Sequence, residues 1–102
     1  MKQNKIVVSL AAMILCTAAA LAQNPDTQTR VWAASCAACH GTNGLSNSAI
    51  VSIAGQDKQV LLTKLLAYKR DQLTATVMHQ HAKGYTDSEL ERLADYFSRQ
   101  SK

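Results

Sequence analysis

From residue 26 onward, apolar positions recur at intervals of three and four residues, and no window alternates with a sustained period of two. This spacing is typical of amphipathic helices that bury one face. It predicts four helical segments, at about 26–40, 57–70 and 74–82 and from Thr86 towards the C-terminus. The pattern therefore predicts an all-α domain.

Residues typical of helix ends support these bounds. Asp26 is suited to cap the start of the first helix, and Gly41 follows its end. Gly84 ends the third segment, and Thr86 and Glu89 have the spacing of a capping box at the start of the last helix. The segment between the first and second helices is rich in Gly, Ser and Asn and is expected to form a loop.

The predicted helices carry apolar faces that together would form the core. On the second and last helices these faces comprise Leu61, Leu62, Leu65, Leu66, Tyr68, Leu90, Leu93, Ala94 and Phe97. The last helix is expected to pack against the first near Val31 and Trp32, with the Trp32 side chain serving as core.

The N-terminus has the three parts of a secretory signal peptide. Lys2 and Lys5 precede an apolar stretch that ends in the small-residue motif Ala20-Leu21-Ala22. We expect residues 1–22 to be removed, which leaves residues 23–102 as the domain. The apolar stretch is shorter than the roughly 20 residues of a membrane span, so no stable membrane insertion is expected after cleavage.

Charge excludes one class of partner. The full chain carries a formal net charge of +4, and residues 23–102 retain nine basic against seven acidic side chains. This excess is too small and too dispersed for nucleic-acid binding. Five basic residues either form a rim around a partner contact or lie on ordinary solvated helix faces: Lys58, Lys64, Lys69, Arg70 and Lys83.

The candidate chemistry lies at the end of the first helix, in Cys36-Ala37-Ala38-Cys39-His40. C-x-x-C-H is the attachment motif of c-type haem. Residues i, i+3 and i+4 of a helix project from one side, so two thiols can bind the haem vinyl groups while the imidazole reaches the iron. The motif predicts one covalent haem c, with thioether bonds to Cys36 and Cys39 and with His40 as the proximal iron ligand.

Two other uses of this motif fit less well. A structural disulfide or a redox C-x-x-C pair would not require His40, and a redox pair would be expected in a βαβ context. A zinc site would need two further ligands, and no other cysteine follows residue 22. A domain of this size has a marginal core, and residues 23–102 hold only five aromatic side chains, so a haem would also supply apolar core. Haem is attached to apocytochromes after their export, so we expect the protein in the periplasm.

The second axial ligand is predicted from the methionines. A methionine opposite the proximal histidine is common in low-spin electron carriers and raises the reduction potential. Met78 is the only methionine after residue 22, and we expect it to be the distal ligand. A lone methionine can also fill a gap in the core. His79 and His81 are the other candidate ligands, although their polar neighbours favour a surface position.

The segment from Cys36 to Gly44 resembles the haem loop of class I cytochromes c of the c4/c5 and flavocytochrome c type. Residues 53–56 and 65–69 continue this match. Three further segments are similar to the cytochrome subunit of flavocytochrome c sulfide dehydrogenase: residues 75–78, 82–86 and 93–97. The resemblance covers essentially the whole chain after residue 22. It implies the small class I cytochrome c fold, with about four helices wrapped around one covalent haem.

This resemblance also implies a function. The chain would be a monohaem subunit docked on an FAD-containing flavoprotein that oxidises sulfide, and electrons would leave singly through the haem to a soluble acceptor such as another cytochrome. The chain would not be catalytic by itself. One alternative is a free-standing soluble cytochrome c that shuttles electrons to an oxidase or photosynthetic centre. Another is a haem peroxidase or gas sensor, which would need the open sixth position that Met78 argues against.

Two positions depart from the family pattern. Relatives usually carry a proline before the Ala-Gly-Gln stretch, in a region that helps to orient the proximal imidazole, whereas Val51 and Ser52 stand here. The hydrogen-bond partner of His40 therefore stays open at this point. Many relatives also close the second helix with a glycine near position 71, where this chain has Asp71.

Overall fold

The computed structural model describes residues 25–102, so the predicted signal peptide lies outside the described residues. Within them the chain is helical with connecting loops and contains no strand, which confirms the all-α prediction. No helix in this part is long and apolar enough to span a bilayer. The elements are α1 (Pro25–His40), a 3-10 turn (Thr42–Gly44), α2 (Lys58–Lys69), α3 (Met78–Lys83) and α4 (Asp87–Ser98).

Side-chain caps define where two of these helices begin. The Asp57 carboxylate accepts hydrogen bonds from the main-chain N–H groups of Gln59 and Val60 at the start of α2. Thr86 and Glu89 form the predicted capping box on α4, with both reciprocal hydrogen bonds present. The described part of α1 starts at Pro25, so Asp26 lies in the first turn of that helix rather than before it.

The end of α2 explains the position of Asp71. Asp71 has a φ of 55°, and its N–H donates to the Tyr68 carbonyl, while the N–H of Gln72 donates to the Ala67 carbonyl at 2.8 Å. This pair of hydrogen bonds is a Schellman motif, which most often places glycine in the left-handed position. Aspartate adopts that conformation more readily than most residues. Asp71 therefore makes the turn for which relatives use glycine.

The third helix is shorter than predicted and begins at Met78 rather than near residue 74. Thr74, Thr76 and Val77 are β-branched, and such side chains lose rotamer freedom in a helix. Val77 has a φ of −135° at the N-cap position and provides no side-chain hydrogen bond to the helix. The chain between α2 and α3 is consequently irregular, and α3 packs against α2.

The core forms where α4 packs against both α1 and α2. It consists of Ala33, Leu61, Leu90, Leu93, Ala94 and Phe97. The predicted apolar face of α4 is confirmed, whereas α2 buries only Leu61 fully. The expected contact at Val31 is wrong: this side chain is 62% exposed, and Ala33 is buried in its place. Side chains two positions apart on a helix point in directions about 200° apart, so Val31 and Ala33 cannot both face α4.

Trp32 lies at the edge of this core. Its ring is partly buried and packs edge-on against Tyr85, with centroids 6.1 Å apart, and the Arg92 guanidinium lies 4.8 Å from its centroid. The Tyr85 hydroxyl in turn lies 3.1 Å from the Ser35 hydroxyl on α1. These contacts connect α1 to both α4 and the segment that precedes it, as expected for a packing residue.

Candidate functional site

The last turns of α1 carry the three residues of the C-x-x-C-H motif. Cys36 is half-buried, Cys39 is exposed, and His40 is only 8% exposed. Neither cysteine is in a disulfide. The helix thus presents two free thiols and one imidazole at i, i+3 and i+4, which is the arrangement that the sequence predicts.

The His40 ring is held by a main-chain group. Its Nδ1 atom lies 2.7 Å from the carbonyl oxygen of Val51. Because a carbonyl oxygen can only accept, Nδ1 carries the proton and donates it. In the neutral ring, Nε2 then keeps the lone pair that a metal ligand requires, and the ring plane is oriented. This contact supplies the His40 partner that the sequence left open.

The loop after α1 is closed close to Val51. The Gly44 carbonyl accepts hydrogen bonds from the N–H groups of Ile53 at 2.8 Å and Ala54 at 3.1 Å, and the Gly55 N–H donates to the Phe97 carbonyl at 2.9 Å. These bonds tie the loop both to the 3-10 turn and to the end of α4. The carbonyl that orients His40 is therefore held in place by bonds just after it.

Gly44 is essential to this arrangement. It is buried and has a φ of 80°, and a Cβ atom there would lie 2.7 Å from both Ile53 and Phe97 side chains. Glycine adopts this conformation without strain and allows the loop to approach α4 closely.

Polar side chains join the rest of the loop. The Ser52 hydroxyl accepts from the Ser46 N–H at 2.8 Å, and the Gln56 amide donates to the Ser52 carbonyl. The Tyr96 hydroxyl donates to the Asn43 side-chain oxygen at 3.1 Å and so connects the 3-10 turn to α4. The segment is rich in glycine and serine, yet these bonds specify its conformation.

Burial distinguishes Cys36 from a reactive cysteine. It raises the pKa of the Cys36 thiol, and hydrogen bonding opposes this only in part. Reactive redox cysteines have the opposite property, because their pKa is lowered. A neutral, half-buried sulfur suits a thioether, which carries no charge.

Met78 lies on a different element from the C-x-x-C-H residues. It is half-buried and is the first residue of α3, whereas His40 is the last residue of α1. Next to Met78, His79 is half-buried and His81 is exposed, which agrees with the expected surface position for His81 only. The helix that carries His40 packs on α4, and the helix that carries Met78 packs on α2.

The surroundings of these residues fit a haem better than a bare metal ion. Within residues 25–102, no group of three or more His, Cys, Asp or Glu side chains could hold a metal ion. Large apolar side chains are instead exposed on the loop after His40 and on the segment before Met78: Leu45, Ile50, Val51, Leu73 and Val77. Because these side chains lie on the segments that adjoin His40 and Met78 in the chain, an apolar macrocycle held there would remove apolar surface from water.

Most of the basic residues that could form a rim around a partner contact make ion pairs within the chain instead. Lys58 pairs with Glu91, Lys69 and Arg70 both pair with Asp87, and Lys83 pairs with Asp71. Each of these pairs joins an acidic residue on a neighbouring element. This finding favours ordinary solvated helix faces over a basic rim.

Comparison with known proteins gives two matches. The cytochrome c family model matches residues 28–100. The cytochrome subunit of sulfide dehydrogenase from Chlorobaculum tepidum is 45% identical over 87 residues, which cover 83% of this chain and 79% of the relative. The chain therefore belongs to the cytochrome c family, whose members transfer electrons through covalently bound haem c.

Proposed function

We propose that this chain is the monohaem cytochrome subunit of a sulfide-oxidising flavocytochrome. It receives electrons from an FAD-containing flavoprotein and passes them singly to a soluble acceptor such as another cytochrome. The identity to the Chlorobaculum tepidum subunit supports this partner class. In this proposal the flavoprotein oxidises sulfide, and this chain is not catalytic by itself.

The observation that carries the haem assignment is the hydrogen bond from His40 Nδ1 to the Val51 carbonyl. It leaves Nε2 available to bind the haem iron, while Cys36 and Cys39 would form the thioethers and the Met78 sulfur would be the second iron ligand. When bound, the haem supplies a one-electron Fe(III)/Fe(II) couple. The chain's own contribution is rigidity, because an imidazole already oriented by the Val51 carbonyl need not turn when the charge of the iron changes.

We place the protein in the periplasm as residues 23–102, after removal of the signal peptide 1–22. The charged, apolar and small-residue parts of that N-terminal segment support this. The intact mass of the protein from a periplasmic fraction tests it. A mass that corresponds to residues 23–102 plus one haem is expected, and retention of the N-terminal segment would overturn the cleavage.

The iron ligands are tested by single substitutions in the haem-loaded protein. Met78→Ala should abolish the Fe–S charge-transfer band, whereas His79→Ala and His81→Ala should retain it and serve as matched controls. Cys36→Ala and Cys39→Ala should each leave one thioether, and the double variant should release its haem to acidified acetone. A Met78→Ala spectrum that keeps the band would refute the distal assignment. Ready carbon monoxide binding by the unsubstituted ferrous protein would favour a gas-binding haem protein instead.

The partner is tested by gentle isolation at low salt from the native periplasm. Flavin absorbance that stays with the haem through gel filtration is the expected result, and sulfide should then reduce the haem. Haem that elutes alone, at the mass of the isolated chain, would instead support a free-standing cytochrome that serves an oxidase or photosynthetic centre.

A further inference from the structure

An ion pair closes the segment of chain that carries Met78. The Lys83 ammonium lies 2.8 Å from the Asp71 carboxylate, and these two residues are twelve positions apart. Asp71 follows the end of α2, and Lys83 is the last residue of α3. The pair thus joins the two ends of the segment 71–83, which contains Met78 near its middle.

Helix α3 packs against α2, but little of it is fully buried. It is six residues long, and Ala82 is its only fully buried residue. Helices of this length are unstable in isolation and depend on tertiary contacts. Segments with little burial open most readily. An ion pair from the last residue of α3 to the turn after α2 therefore adds to this packing in holding Met78 in place.

Asp71 combines two properties that glycine cannot combine. Its φ of 55° ends α2 in the left-handed conformation, and its carboxylate reaches α3. Glycine would make the same turn with less strain but has no side chain. The aspartate at this position thus couples the end of α2 to the helix that presents Met78.

We propose that Asp71 is a positioning residue for Met78, and that its ion pair with Lys83 keeps the Met78 sulfur on the haem iron. This inference rests on the proposed role of Met78 as the distal ligand. Breaking the pair loosens α3 and increases the fraction of molecules in which Met78 has left the iron. The protein stays folded, because the core residues on α4 and α2 are unaffected.

Imidazole binding to the ferric, haem-loaded protein measures this fraction. An external ligand binds with an apparent affinity equal to its intrinsic affinity multiplied by the fraction of open sites. Asp71→Asn keeps a residue that tolerates the left-handed turn but removes the charge, and Lys83→Gln removes the other partner. Each should raise the imidazole affinity about 1.5- to 5-fold, as expected for one exposed ion pair. The double variant should show no further increase.

A second ion pair provides the matched control. Lys69 lies 2.7 Å from Asp87, and this pair joins α2 to α4 with neither partner on α3. Lys69→Gln should lower the urea midpoint without raising the imidazole affinity. High salt should move the unsubstituted protein towards the Asp71→Asn value, because salt screens an exposed pair.

The Met78→Ala background separates the two proposals. Met78→Ala should raise the imidazole affinity strongly, and adding Asp71→Asn to it should have no further effect. Unchanged affinity in Met78→Ala would refute the ligand assignment itself. A strong increase in Met78→Ala, with no change in Asp71→Asn and Lys83→Gln, would overturn the positioning role alone. An equal increase in Lys69→Gln would overturn it as well, since it would show only general destabilisation.

Discussion

The imidazole of His40 donates from Nδ1 to the main-chain carbonyl of Val51 at 2.7 Å, across eleven positions of the chain. The interaction joins the last residue of α1 to the loop that follows it. It sets both the tautomer and the direction of the ring before any ligand is bound. The acceptor belongs to the backbone, so the identity of the side chain at position 51 does not determine the contact.

Val51→Ala should therefore keep the hydrogen bond. The Val51 side chain is 65% exposed in the chain alone, and its removal leaves the carbonyl and the loop contacts in place. We expect the His40 Nδ1 proton to remain protected from exchange in the NMR spectrum of the haem-loaded variant. Loss of that protection would show that the side chain, rather than the backbone, positions the acceptor.

Gly44→Ala should be strongly destabilising. The added methyl group would meet Ile53 and Phe97 at 2.7 Å in a left-handed backbone. Overpacking and backbone strain together should lower the free energy of unfolding by about 2–4 kcal/mol, as measured by urea denaturation. Gly84→Ala is the matched control, because Gly84 has a right-handed φ of −71° and its Cβ would approach only the His81 carbonyl, at 3.3 Å. Equal losses in both variants would contradict this explanation.

The Asp87 ion pairs should make stability depend on acid pH. The Lys69 ammonium, which donates to the Asp87 carboxylate, and the nearby Arg70 hold the pKa of that carboxyl below its ordinary value of 3.8. Because the pKa of Asp87 is lower in the folded state, its ion pairs stabilise the protein fully at pH values above 3.8. This stabilisation is lost as the pH falls from 3.8 through the pKa of the folded state.

Asp87→Asn should accordingly be less stable than the unsubstituted protein near neutral pH. The difference should shrink as the pH falls below 3.8, and added salt should reduce it at neutral pH because Asp87 is exposed. Thermal unfolding of both proteins, from neutral pH to below 3.8, measures this difference in stability. A difference that stays constant with pH would mean that the charge of Asp87 contributes nothing.

Thr86→Ala should weaken the start of α4. The Thr86 hydroxyl accepts from the Glu89 N–H, and the Glu89 carboxylate accepts from the Thr86 N–H. Removing the hydroxyl should lower the free energy of unfolding by about 1 kcal/mol, and Thr86→Ser should restore nearly all of it. If serine were as destabilising as alanine, the methyl group rather than the hydrogen bond would be responsible.

Local patterns predicted the start of α4 and its buried face correctly. The capping box at Thr86 involves residues three apart, and the stripe of Leu90, Leu93, Ala94 and Phe97 follows from the helical period alone. The spacing of Cys36, Cys39 and His40 on the last turn of α1 was predictable for the same reason.

Predictions were wrong at the buried face of α1 and at the start of α3. Val31 and Ala33 are both apolar, and only the direction from which α4 approaches decides which of them is buried. The start of α3 was predicted four residues too early, because the turn at Asp71 and the β-branched residues after it shorten the helix.

By itself the sequence determined the helical class, the capping box of α4 and the chemistry of the C-x-x-C-H motif, since all three depend on residues within one or two turns of each other. Only the tertiary structure decided that the Val51 carbonyl orients His40 and that Lys83 reaches Asp71. A carbonyl group is common to all residues and leaves no mark in the sequence. An ion pair twelve residues apart exists only once the chain between its partners has folded.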